Sequence, residues 1–288
     1  MNLRDTLNFR NEDSMIDVIL SSGSKMPSLG MGTYLLKGKA GIQAIHSALK
    51  VGYRHIDTAQ IYGNEEAVGT AIAESEVSRH EIFLTTKVWT DKFHKEDLER
   101  SVDESLAKLQ TDYVDLLLLH WPNPKVDLAE TIEAINNVAK KGKAKAIGVS
   151  NFTVALMEEA VQLSEAPIAT NQIEYHVLLS QKAVFGFAVP HHIAITAYSP
   201  LAQGRLKEQP ILEEIGYKYK KTASQVALRW LVQQTNVAAI PKASSEKNLR
   251  SNFEIFDFQL TEEDMAKIHT LQGDGRFNSF DFSPAWDK

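Results

Sequence analysis

Apolar and polar positions along this chain follow two rhythms in turn. Short unbroken apolar runs bounded by turn residues read as strands buried on both faces. Apolar residues three and four apart read as the inner stripe of a helix. Ile16–Leu20, a Ser21–Ser24 turn around Gly23, and Lys25-Met26 predict a small β-hairpin. Leu29–Tyr34 is the first strand of a larger sheet, and its Gly30 and Gly32 allow close backbone approach. Seven more strands are expected over 55–59, 82–88, 114–120, 144–149, 168–175, 193–198 and 237–240. Helices are expected over 39–51, 64–74, 96–110, 128–141, 153–163, 180–189 and 223–233, then 245–253 and 261–271. The helix over 96–110 shows the spacing plainly, with Leu98, Val102, Leu106 and Leu109 on one side.

Local signals agree. Asn64 reads as an N-cap, and Pro190 cuts the helix before it. Thr261–Asp264 resembles a capping box with Asp in the last place. Eight strands alternating with helices predict an α/β protein of the (β/α)₈ TIM-barrel type, preceded by the β-hairpin and followed by a C-terminal loop tail. A doubly wound open sheet would normally place G-x-G-x-x-G in its first turn, and Gly30-Met31-Gly32 does not continue that way. Residues 1–15 read as an N-terminal extension and 16–288 as a single domain. The tail from Gly273, rich in aromatics and turn residues, is expected to pack as a loop.

Composition narrows the classes. The 288 residues suit one such barrel, which typically takes about 250. Thirty-one basic and 37 acidic side chains leave a net charge of −6, which gives no reason to expect nucleic acid or an acidic membrane. The chain has no cysteine, so disulfides, Cys-ligated zinc and thiol nucleophiles are excluded, and a cytoplasmic location fits. The N-terminus lacks the basic start and apolar core of a secretory signal. No apolar run approaches the roughly 18 residues that suggest a membrane span.

Chemistry gathers at three predicted strand ends. One strand ends in Asp57, the next in Lys87 and the third in His120, while Tyr62 sits in the loop after Asp57. Taken singly, an acid or lysine at a strand end is as readily a solvated residue. Three in succession, as parallel neighbours, would emerge at one edge with Tyr62 above them, and barrels place catalytic groups there. A free tyrosine has a pKa near 10. A nearby ammonium would lower it, and Asp57 would keep Lys87 charged. His120 can hydrogen-bond a carbonyl oxygen and orient it. This set suits an oxyanion formed when hydride adds to a carbonyl. No side chain donates hydride, so a nicotinamide cofactor is needed.

The runs GYRHIDTAQIYGNEEAVG, TTKVW, LLLLHWP, IGVSNF, NQIEYH, AYSPLAQG and IPKA stand in the order seen in aldo-keto reductases. From about Val18 to Trp286 the chain resembles that family, most closely the bacterial 2,5-diketo-D-gluconate reductase B (methylglyoxal reductase) branch. The resemblance implies Asp57, Tyr62, Lys87 and His120 as a catalytic tetrad with Tyr62 the general acid. It implies a nicotinamide whose carboxamide meets Ser150, Asn151 and Gln172, whose ring stacks on Tyr198, and whose ribose and pyrophosphate run past Thr33, Ser199 and Leu201. At the adenosine end Ala243, Asn248 and Ser251 stand where many relatives have serine, arginine and glutamate, while Lys242 and Asn252 are kept. Lys242, Ser244, Ser245 and the following helix N-terminus can still take a 2′-phosphate; at this register Arg250 points away. The expected cofactor is therefore NADPH over NADH, by a smaller margin than an intact arginine would give. Trp89 and Trp121, with Tyr34 opposite, are expected to wall a pocket for a small carbonyl: an aldehyde, an α-dicarbonyl of the methylglyoxal type, or a keto-sugar. Phe277, Phe280 and Trp286 of the tail are candidates to close it. The resemblance also favours a monomer.

Two other readings compete. One is a non-catalytic barrel that binds nicotinamide as a sensor or docks a partner. The other is a phosphate-handling barrel, against which stand the lack of a P-loop and of an acidic metal cluster. No metal site is expected, and the adjacent His191 and His192 read as loop residues.

Overall fold

In chain order the strands are β1 (Asp17–Ile19), β2 (Lys25–Pro27), β3 (Met31–Gly32), β4 (His55–Asp57), β5 (Phe83–Val88), β6 (Val114–Leu119), β7 (Ala144–Ser150), β8 (Ile168–Glu174), β9 (Ala194–Tyr198) and β10 (Val237–Ala239). The computed structural model describes residues 16–206 and 209–287, so the expected extension over 1–15 lies outside the described residues. β1 and β2 pair antiparallel as the expected hairpin. The other eight strands are parallel and ordered β3 to β10 as they come in the chain. Runs such as Val114–Leu119 are buried at every position, which is why they read as continuous apolar stretches.

The sheet closes on itself where β3 meets β10. Gly30 N donates to Ala239 O at 2.9 Å, Ala239 N to Ser28 O at 2.7 Å, and Gly32 N to Pro241 O at 3.2 Å. The strand expected over Leu29–Tyr34 is regular only at Met31 and Gly32. The seam explains this. A Cβ on Gly32 would come within 2.8 Å of Ile240 O, so the two backbones touch where side chains would otherwise separate them.

The helices are α1 (Gly38–Val51), α2 (Glu65–Ala73), α3 (Lys95–Leu109), α4 (Leu128–Lys140), α5 (Val154–Leu163), α6 (Lys182–Ala188), α7 (Pro210–Tyr219), α8 (Ala223–Val232), α9 (Glu246–Phe253) and α10 (Glu262–His269). They pack their apolar stripes on the outside of the sheet; Leu98, Val102, Leu106 and Leu109 of α3 are all buried. Helix α7 has no counterpart in the sequence reading, although Pro210 at its first turn is a start signal. The Thr261–Asp264 capping box forms as expected.

Asn64 is a correction. It occupies the residue before α2 but makes no side-chain cap bond. Its amide instead donates to Thr33 O and Leu36 O, both at 2.9 Å, and its oxygen accepts from Thr58 Oγ1 at 2.7 Å. Tertiary partners outcompete the local backbone, and the loop after β3 is fastened to the loop after β4.

A second apolar cluster, separate from the core under the helices, joins Val18, Leu20 and Met26 of the hairpin region to Phe83, Leu116, Leu118, Ala146, Ala169, Ala194 and Ala238 of the sheet. The hairpin thus plugs the end of the barrel where strands begin, which leaves the end where strands finish for a cavity. No helix among the described residues is long and apolar enough to cross a membrane.

Candidate active site

Parallel register decides which side chains share the open end. Asp57 lies opposite Thr85 on the neighbouring strand, and Lys87 is two residues further on, so Asp57 and Lys87 project from the same face. His120 follows β6, with its backbone N–H still bonded to Val88 O at 3.1 Å. Tyr62 closes a short 3₁₀ turn, Gln60–Tyr62, that ends in left-handed Gly63.

The four side chains meet. Lys87 Nζ donates to Asp57 Oδ1 at 2.5 Å, to Thr58 O at 2.8 Å and to the Tyr62 hydroxyl at 3.4 Å, which uses all three ammonium protons. Lys87 is wholly buried and Asp57 nearly so. The Tyr62 ring lies edge-on to His120 with centroids 5.6 Å apart.

Burial lowers the Lys87 ammonium while Asp57, and more weakly Glu65, raise it. Tyr62 departs from expectation. Burial pushes its hydroxyl well above the ordinary phenol value, and the Asp57 charge adds to this, so the lysine does not prevail. The phenol stays protonated, as a proton donor must. His120 is held well below the usual imidazole range by burial and then by the Lys87 charge, so its ring is neutral. Its Nδ1 is buried without a partner, whereas Nε2 is not sealed off. An unpaired acceptor is the cheaper state for Nδ1, which places the proton on Nε2.

A cavity of about 400 Å³ opens above these groups. Of the residues expected to bind cofactor, Thr33, Asn151, Gln172, Tyr198, Ser199 and Lys242 line it. Tyr198 donates to Asn151 Oδ1 at 2.7 Å, and Asn151 Nδ2 donates to His120 O at 3.0 Å. Asn151 holds a left-handed φ of 62°, a conformation Asn tolerates, which turns its amide toward the strand ends. Ser150 stands behind, donating to Gln172 O at 2.8 Å and accepting from Asn151 Nδ2 at 3.1 Å, so it supports the amides rather than facing the cavity. Leu201 is half-buried against the core, outside the cavity. Ser244, on the approach to α9, and Asn248, in its first turn, are exposed beyond the cavity, and Asn252 is buried within that helix. Ser245 caps α9 by accepting from Asn248 N. Arg250 is tied to Glu246 by two hydrogen bonds of 2.7 and 2.9 Å.

Tyr34, Trp89 and Trp121 all line the cavity. Tyr34 packs edge-on to Tyr62 at 5.1 Å and Trp89 to His120 at 5.2 Å. Of the tail candidates, Phe280 lines it, while Trp286 packs behind on Trp121. Phe277 does not; its ring stacks on the buried His176 instead. Ile61, Ile240, Asn278 and Phe282 also line the cavity and were missed. The strand-end rule reaches Ile240, which follows β10, and Phe282 repeats Phe280 two residues on, but nothing local marks Asn278.

The residues fit a nicotinamide dinucleotide. Two side-chain amides and a tyrosine ring converge beside the Tyr62–His120 floor, and a lysine stands near the start of a capped helix, as a phosphate requires. His191 stacks on Phe187 and bonds Phe187 O, in keeping with a loop residue.

The family model described as the aldo/keto reductase family matches residues 28–272. The methylglyoxal reductase DkgB of Escherichia coli O157:H7 is 43% identical over 266 residues, covering 91% of this chain and 99% of that one. A crystal structure of a protein provisionally named a 2,5-diketo-D-gluconic acid reductase B superposes with a TM-score of 0.94 at 48% identity, over 96% of this chain and 99% of the other. The crystal structure of an aldo-keto reductase (AKR2E5) complexed with NADPH gives a TM-score of 0.86 at 34% identity, over 92% and 89%.

Proposed function

The chain belongs to the aldo/keto reductase family of oxidoreductases, and from that premise we propose that it reduces small aldehydes, α-dicarbonyls or keto-sugars to alcohols with NADPH, using Tyr62 as the proton donor. The observation that carries this reading is Lys87 Nζ, which touches both Asp57 and the Tyr62 hydroxyl beneath a cavity walled by aromatic rings. The amides of Asn151 and Gln172 would hold the carboxamide and Tyr198 would lie against the ring. Lys242, with the Ser245-capped start of α9, would take a 2′-phosphate. Bound there, NADPH supplies the hydride.

The chain's own groups do the rest. Tyr62 and His120 share the cavity floor, so a carbonyl oxygen can accept from the phenol and from His120 Nε2–H together. These two hydrogen bonds polarise the carbonyl and fix its position. As negative charge grows on the oxygen, Tyr62 passes its proton to it. The resulting phenolate accepts from Lys87 Nζ, whose charge Asp57 maintains. Substrate and cofactor bound between the surrounding rings would displace water, which would strengthen each of these interactions. Residues 16–288 act as one domain in this reading, as a monomer in the cytoplasm.

Tyr62→Phe tests it. The variant should lose about 10²- to 10⁴-fold in kcat for methylglyoxal or an aromatic aldehyde, followed as loss of nicotinamide absorbance, with NADPH affinity little changed. Undiminished turnover would overturn the assignment. Loss of NADPH binding with no turnover in the parent protein would overturn the sensor reading as well.

A further inference from the structure

The tail from Gly273 crosses the mouth of the cavity, and its attachment is built into the barrel. Glu174, the last residue of β8, is wholly buried. One carboxylate oxygen accepts from Phe277 N at 2.9 Å and the other from Asn278 N at 2.9 Å. His176 Nε2 lies 3.2 Å from the first of these oxygens, and the His176 ring stacks on Phe277. Burial alone would raise this carboxyl, but the bonds from His176 and the two tail amides outweigh it and hold the group below the usual carboxylate range. Around this point Gly275 sits so close to Leu178 O that a Cβ would come within 2.7 Å. The Arg205 guanidinium lies over the Phe277 ring at 4.2 Å. At the far end Asp287 accepts from Val154 N, at the start of α5.

Between these two anchors lie the residues that face the cavity. Asn278 bonds Ser199 Oγ and lines the cavity. Phe280 and Phe282 stack on each other and pack edge-on to Trp121, and Phe282 also meets Trp89. A buried carboxylate that accepts from two tail amides, with His176 beside it, fixes where residues 277 and 278 stand, and the course of the chain to 282 starts from there.

We propose that Glu174 is a positioning residue for substrate selectivity, holding the tail so that Asn278, Phe280 and Phe282 form the outer wall of the carbonyl-binding cavity. The proposal rests on the reductase reading of that cavity. It places selectivity for bulk in the tail and leaves proton donation to Tyr62.

Glu174→Gln keeps the shape but turns one acceptor into a donor that faces a backbone N–H. In native-state hydrogen exchange the Phe277 and Asn278 amides should lose protection, while the β8 amides keep theirs. In steady-state kinetics KM for a bulky aromatic aldehyde should rise about tenfold, against about twofold or less for methylglyoxal, with kcat little moved for either. Phe280→Ala/Phe282→Ala should give the same selective rise, and adding Glu174→Gln to it should change KM no further. Retained protection at Phe277 and Asn278, an equal KM rise for both substrates, or an additive triple variant overturns the proposal. Should Glu174→Gln fail to fold, the Phe280→Ala/Phe282→Ala variant decides: no selective rise overturns it. Absence of turnover in the parent protein would sink the reductase reading, and amide exchange would still judge the anchor.

Discussion

Gln172 Nε2 donates to Asp57 Oδ2 at 2.8 Å, from β8 to β4 on the far side of the ring. The amide expected to hold the cofactor is therefore already bonded to the acid of the tetrad. Asp57 is satisfied on both oxygens, by Lys87 and by Gln172. The bond also fixes the Gln172 amide with its nitrogen toward Asp57, which leaves its oxygen for a carboxamide N–H. Gln172→Leu removes one hydrogen bond to each neighbour and should weaken NADPH binding about three- to tenfold, measured by quenching of protein fluorescence. Gln172→Glu should be worse despite its shape, because it sets a second carboxylate against Asp57. Wild-type affinity in Gln172→Glu would contradict the arrangement.

The pH profile follows from the shifted groups. The His120 value lies well below 6.5 and that of Tyr62 well above 10. Between those values the imidazole is neutral and the phenol protonated, so kcat/KM should show no break from His120 at 6.5; an alkaline limb belongs to Lys87, whose ammonium burial lowers from its usual value, and not to Tyr62. An acid limb centred near 6.5 would show that His120 titrates as an ordinary histidine.

Stability should depend on pH through the same burial. The folded values of His55 and His120 are both lowered. Below about pH 6.5 the unfolded chain takes up protons that the folded chain refuses, so stability falls as pH falls through that region. Urea midpoints at pH 8 and pH 5.5 should differ accordingly, the lower pH being weaker. His120→Gln should shrink the difference by its share.

Asn64 shows why part of this site was not legible in sequence. Strand and helix rhythm placed all eight barrel strands, because burial on both faces leaves an unbroken apolar run. Strand ends then placed Asp57, Lys87 and His120, since the register of a parallel sheet puts them on one rim. Asn64 looked like a cap because its position is one; its true partners, Thr33, Leu36 and Thr58, are set by how two loops meet. Part of the tail's contribution was hidden for the same reason, although Phe280 was placed. Asn278 and Phe282 follow a backbone that Glu174 holds at Phe277 and Asn278 from more than 100 residues away, and no local period records that. Asn64→Ala should leave the Leu36 carbonyl and the Thr58 hydroxyl without these partners, while Thr33 O keeps its bond from Leu36 N, at a cost of about 1–3 kcal/mol. Urea unfolding measures this. KM should rise too as the loop that carries Tyr34 loosens.

The seam between β3 and β10 gives a sharper stability test. Gly32→Ala would bring a methyl within 2.8 Å of Ile240 O, where backbone rather than a mobile side chain must yield. The substitution should cost about 1–3 kcal/mol by overpacking, read as a lowered melting temperature. It should also disturb the cavity, which Gly32 and Ile240 both line. An unchanged melting temperature would mean that the barrel closes less tightly here.

The proposed preference for NADPH turns on one missing cation. Lys242 faces the cavity, and the Ser245-capped start of α9 offers N–H groups to a phosphate. Asn248 stands exposed in the first turn of that helix with no charge to add. Arg250 cannot replace it, because Glu246 engages its guanidinium twice. In the proposed reading a 2′-phosphate would be met by one lysine and one helix start, which would favour NADPH modestly. Asn248→Arg adds a fork that can bond the phosphate in two places. It should raise the NADPH-to-NADH ratio of kcat/KM about tenfold, nearly all through KM for NADPH. Glu246→Gln, which frees Arg250, should raise the ratio less, since that side chain lies two positions round the helix. A parent protein that uses NADH as efficiently as NADPH would refute the preference outright. An Asn248→Arg variant with an unchanged ratio would move the 2′-phosphate away from the start of α9.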